Sequence, residues 1–176
     1  VYKRQEKYSD QVKSLSFIAP AGFGKVQTSF PFFMKIPGVI EWSMHVLADR
    51  FYGSAISSET THSSDPLSIN EEEFQQLFSF QVQFKGFRES LASTMRNFNL
   101  FDAREMFEKV ATKNIPSIAI WGDNDGVVSY RGAETYSEIF HEGKVITIES
   151  GTHDITYRQP SDVLEAINIF LDSQIP

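Results

Sequence analysis

The chain has 176 residues, 41% hydrophobic and 22% charged, which suits a globular domain with room for one core and rules out wholesale disorder. A formal net charge of −7 argues against a nucleic-acid partner, which needs a basic face. With no cysteine, a disulfide scaffold, a thiolate zinc site and a cysteine nucleophile are all excluded within these residues, while the compartment stays unassigned.

In chain order, the sequence opens Val1-Tyr2-Lys3-Arg4-Gln5, with neither an initiator Met nor a signal peptide. It is expected to start inside a larger protein, and whether Val1 to Gln5 are native is left open. Ser14 to Ala19 is a nearly continuous apolar run, the pattern of a buried parallel strand. Phe30 to Ala48 is the most apolar stretch, but Lys35, Glu41, Pro31, Pro37 and Gly38 interrupt it, so it does not span a bilayer. Ser54 to Ser68 reads as an exposed Ser/Thr-rich loop. Ser68-Ile69-Asn70-Glu71 has capping-box spacing ahead of a helix over Glu72 to Phe84, and Phe84 to Phe98 and Asp102 to Thr112 read as two more helices. Ser117 to Trp121 and Lys144 to Ile148 are further strand signals. Between them Ala133, Tyr136 and Phe140 share a helix face. After them a last helix starts at Pro160-Ser161, with Leu164, Ile167 and Leu171 at helical spacing beside Val163 and Phe170. Strands alternating with helices imply parallel pairing and right-handed crossovers, hence an α/β fold interrupted by a helical insertion.

Two loops carry the chemistry. Trp121-Gly122-Asp123-Asn124-Asp125-Gly126-Val127-Val128 puts a carboxylate just past the C-terminal end of a buried strand, where open α/β sheets place ligands. Alone, it could equally be a solvated Asp-rich turn. Glu149-Ser150-Gly151-Thr152-His153-Asp154 puts a histidine after the next strand, and a lone loop histidine is more often a surface residue. The pairing changes this: Asp125 and His153 lie 28 positions apart with one helix and one strand between them. Adjacent parallel strands bring both loops to one end of the sheet, where an acid can orient an imidazole that serves as a base.

The sequence resembles the α/β-hydrolase family, in its C-terminal part. Gly122-Asp123-Asn124-Asp125 followed by Val127-Val128 matches the family's acid loop, and Gly151-Thr152-His153 resembles its histidine loop. Val12 to Gly22 resembles the strand before the family's cap. The resemblance implies Asp125 as triad acid, His153 as base and the chain order acid before histidine. It also implies three parts: core over 1–29, a helical cap over 30–112, and core over 113–176. The family's Gly-x-Ser-x-Gly elbow is absent from all 176 residues. The nucleophile, a serine or in some members an aspartate, is therefore expected upstream together with the first strands and the oxyanion hole. The chain is expected to be an inactive fragment with a bare sheet edge at its first strand.

The implied activity is hydrolysis of an ester of a small hydrophobic substrate, lipase- or esterase-like, with no cofactor and no metal. A non-catalytic hydrolase-like binding protein, an epoxide hydrolase and a carbon–carbon bond hydrolase stay open. Phe30, Phe32, Phe33, Met34, Ile36, Trp42, Met44 and Val46 pack the cap against the core in the first reading. In the second they line a substrate pocket or make a peripheral membrane contact. Gly22-Phe23-Gly24-Lys25-Val26-Gln27 lacks the third glycine of a dinucleotide loop, and Gly132 stands where a calcium loop needs its bidentate Glu. His45, His62 and His141 have no metal-site spacing, and Glu71 to Glu73 suit a first helical turn.

Overall fold

The computed structural model describes residues 7–23, 36, 38–39, 42–43, 64–97 and 102–174. Most of the Phe30 to Ala48 stretch, residues 54–63 of the expected loop, His45, His62 and residues 24–27 lie outside them. The chain divides into two compact units, one of Val1–Lys25, Ser63–Ser68 and Phe101–Pro176, the other of Val26–His62 and Ile69–Leu100.

The first unit is built on three parallel strands, β1 (Leu15–Ile18), β2 (Ser117–Gly122) and β3 (Lys144–Ile148), in the order β1-β2-β3. Phe17 sits opposite Ala119 and Trp121 opposite Thr147. The central strand β2 is buried along its whole length, because alternate side chains enter two different cores. On one face Ala119 and Trp121 pack with Leu15, Phe17 and Phe23 against helices α3 (Arg104–Ala111) and α4 (Gly132–Ile139). That core is aromatic: Phe23 stacks on Phe107 with centroids 3.8 Å apart, and Phe17 meets both Phe23 and Phe107 edge-on. On the other face Ile118, Ile120 and Ile148 pack against a short helix α5 (Ile155–Arg158) and the last helix α6 (Pro160–Asp172).

Three expectations need correction here. The first strand is not buried throughout: Leu15 and Phe17 are buried, Ser16 and Ile18 exposed, and among the described residues the second core is built from β2, β3, α5 and α6. The buried face of α6 is Val163, Ala166 and Phe170, while Leu164 and Leu171 are exposed. Both triplets have the same spacing, and small Ala166 allows the closer approach to the isoleucines of β2 and β3. Helix α3, inside the segment expected to be cap, packs with the first unit, because Phe107 and Val110 bury in the sheet's aromatic core.

In the second unit the described helices are α1 (Glu71–Val82) and α2 (Phe87–Asn97), where Phe78 meets Phe87 edge-on. The capping box belongs to Asn70 and Glu73 rather than Ser68 and Glu71. Asn70 has the extended backbone an N-cap needs, whereas the Ser68 amide is committed to the turn at Asp65. Among the described residues no helix is long and apolar enough to cross a membrane.

Candidate active site

The acid loop is fixed by its own strand. β2 ends in Trp121-Gly122, and the buried Trp121 indole donates to the Val128 carbonyl at 3.1 Å, folding the loop back onto the sheet. Within that turn Asp125 Oδ1 accepts the amides of Val127 at 2.9 Å and Val128 at 2.7 Å. These local bonds are what an Asp in a turn makes readily, and they fix the carboxylate's direction.

The histidine loop is bound to the acid loop through the backbone. Asp123 N–H donates to the Ile148 carbonyl and Asn124 N–H to the Gly151 carbonyl, at 3.2 and 3.0 Å. The chains pass so closely that a Cβ on Gly122 would sit 2.1 Å from the Gly151 oxygen. Only glycine fits at this crossing, so the two glycines that flank the motifs set how near the loops come.

The result is a direct pair. His153 Nδ1 lies 2.9 Å from Asp125 Oδ2, the Asp125 side chain is fully buried, and the imidazole is 38% exposed. A carboxylate only accepts, so the proton is assigned to Nδ1. Both predicted residues are thus brought together at the C-terminal end of the sheet.

Sequence reading missed a polar cluster made by residues next to His153 in the chain. Asp154 accepts the Thr152 hydroxyl on Oδ1 and the Arg158 guanidinium on Oδ2, the latter at 3.0 Å. The Asp154–Arg158 spacing of four residues was a usable signal, since such pairs share a helix face. Among the described residues no cluster of three or more His, Asp or Glu side chains could hold a metal ion. A groove of about 320 Å³ between β3 and α6, floored by Ile118, Ile146, Ile148 and Phe170, is lined by neither Asp125 nor His153 and is a separate feature.

No family model and no curated protein sequence matches the chain. Solved structures do. A bromoperoxidase from Bacillus anthracis superposes with a TM-score of 0.70 at 18% identity, over 97% of this chain and 62% of its own. The carboxylesterase CesB from Bacillus subtilis gives 0.67 at 16% identity, over 99% and 56%. A bacterial membrane phospholipase A gives 0.65 at 17% identity, over 98% and 53%. The chain therefore spans little more than half the length of these proteins, and it carries part of an α/β-hydrolase fold.

Proposed function

We propose that this chain, with its portion of an α/β-hydrolase fold, supplies the acid and the base of a serine-hydrolase triad that cleaves an ester of a hydrophobic substrate. The observation that carries the reading is the 2.9 Å contact between His153 Nδ1 and the fully buried Asp125. In the first step Nε2 of His153 takes the proton of the nucleophile's hydroxyl as its oxygen bonds to the ester carbon. The imidazolium so formed is held by Asp125. It then returns that proton to the departing alkoxide, and water repeats the cycle to free the acid. The nucleophile and the oxyanion donors come from a segment outside these 176 residues, so the chain by itself does not turn over. The apolar substrate is supported by the 16 Phe, by Trp42 at 61% exposure, and by esterase and phospholipase neighbours.

The test uses the full-length protein, meaning this chain together with its nucleophile segment. His153→Ala and Asp125→Asn are each expected to lower kcat on a p-nitrophenyl acyl ester by about 10³- to 10⁴-fold. Undiminished turnover by His153→Ala removes the assigned role.

A second reading is a hydrolase-like protein that binds a ligand without turning it over. Covalent labelling of the full-length protein by a fluorophosphonate separates the two, since only an activated serine reacts. An aspartate at the elbow would redirect the chemistry toward epoxide opening.

A further inference from the structure

The groove between β3 and α6 is a second opening, away from the acid and histidine loops. Its volume of about 320 Å³ falls in the range that holds a small ligand. The floor is apolar, made by Ile118, Ile146, Ile148 and Phe170. Along the rim α6 presents Asp162, Glu165 and Ile169, spaced three and four residues apart and so on one helix face. That stripe lies beside the buried one of Val163, Ala166 and Phe170, and it leaves Ile169 63% exposed.

The two ends of the groove differ in charge. Gln159 Nε2 donates to the Glu149 carbonyl at 3.1 Å, which sets the start of α6 beside the end of β3. Glu149 and Asp162 therefore stand at that end, with Glu165 one turn further along α6. Lys144 opens β3, roughly 13 Å along the strand from Ile148, and marks the other end. Among the described residues none of these four charged groups makes an ion pair. The first turn of α6 gives Asp162 a helix-stabilising role, but Glu165 lies beyond that turn and Glu149 lies off the helix.

We propose that this groove binds a small amphiphilic cation, an alkylammonium or arylalkylammonium ion. Its head sits among Glu149, Asp162 and Glu165, and its apolar body lies over Ile146, Ile169 and Phe170. Each half of such a ligand answers one half of the lining. The body removes the apolar floor and Ile169 from water, and the displaced water strengthens the attraction between the head and the carboxylates. Lys144 sets the direction, because its charge repels the head while its stem can lie along the apolar edge. The same carboxylates disfavour a fatty anion. Neither Asp125 nor His153 lines the groove, so the inference does not rest on the hydrolase reading.

The experiment titrates n-octylammonium into full-length protein with labelled isoleucine methyl groups and follows them by NMR at neutral pH. The methyls of Ile146 and Ile169 are assigned by their loss in Ile146→Val and Ile169→Val. Both are expected to shift saturably. n-Octanol and octanoate, with the same tail length, should bind at least about fivefold more weakly. Glu165→Gln should raise Kd about two- to fivefold, and Glu149→Gln combined with Glu165→Gln should raise it further. Added salt should weaken the binding as well. Ile169→Lys puts a cation on an exposed rim position and should abolish it. The proposal is overturned if the two methyls stay still, if octanol or octanoate binds as tightly, or if the double variant binds like wild type. Methyl shifts that follow protein concentration instead of octylammonium would assign the groove to a second copy of the chain and overturn it too. His153→Ala should give an unchanged Kd for octylammonium, so failure of the catalytic reading and failure of this one are told apart.

Discussion

Tyr136 shows how a single polar atom is handled inside the aromatic core. Its ring stacks on Phe140 with centroids 5.0 Å apart, and its hydroxyl bonds the Ser117 hydroxyl at 2.7 Å. Ser117 opens β2, so this bond ties α4 to the first residue of the central strand. Burial pushes the Tyr136 phenol up to about 12, with the Ser117 bond acting weakly the other way. The sign of the linkage follows from that direction. Between about pH 10 and 12 the unfolded chain gives up this proton while the folded one keeps it, so folding stability falls as pH rises across the window. Below pH 10 the contribution is complete. Tyr136→Phe is therefore expected to flatten the loss of stability between pH 10 and 12, a difference on the order of 1 kcal/mol. Urea unfolding of the two proteins at several alkaline pH values checks it, and parallel curves would count against the assignment. Near neutral pH the variant should be less stable, since it leaves the buried Ser117 hydroxyl without its partner.

Helix α6 shows where local sequence rules stop at the scale of an element. Pro160 at its first turn is a start signal legible in the sequence, but no side chain near it in the chain caps the helix. The cap comes from Asp65, 96 residues earlier: its carboxylate accepts the amide of Ser161 at 2.8 Å and the Ser161 hydroxyl at 2.8 Å. No spacing rule finds such a partner, because the pairing exists only after the chain has folded. The misreading of the buried face has a related cause. Val163, Ala166 and Phe170 carry the same period as Leu164, Ile167 and Leu171, and periodicity alone cannot rank two adjacent stripes. Asp65 also titrates with its surroundings. Loss of solvent raises its carboxyl, but the hydrogen bonds from Leu67 and Ser161 outweigh this and hold it below the ordinary carboxylate value. A carboxylate depressed in this way stabilises the fold above the unfolded-state value, and that contribution is lost as pH falls through the folded-state one. Asp65→Ala should lower the thermal midpoint of the full-length protein at neutral pH, with the gap to wild type closing as the solution is acidified below about pH 4. A gap that stays constant with pH would show that the carboxylate's charge is not what caps α6.

At the scale of the whole molecule, the sequence made the α/β alternation legible because each strand is an apolar run ending in a chemically marked loop. The convergence of Asp125 and His153 followed from that alone, since neighbouring parallel strands must place their following loops together. What spacing could not express was contact across the sheet: the Gly122–Gly151 crossing and the exposure of alternate residues on β1. That exposure leads to the last prediction. Among the described residues β1 pairs in the sheet only with β2, and Ile18 is 37% exposed. Neither a charge nor a proline within Leu15–Ile18 guards its other edge, and the three matched structures described above are longer than this chain. The 176-residue chain expressed by itself is therefore expected to self-associate through β1. Ile18→Lys, which adds a charge at that edge without touching the buried Leu15 and Phe17, should raise the soluble monomeric fraction. Size-exclusion chromatography over a range of concentrations reads the effect directly. A wild-type chain that runs as a monomer and melts in one sharp transition would mean that something covers β1, and the open edge would have to be abandoned.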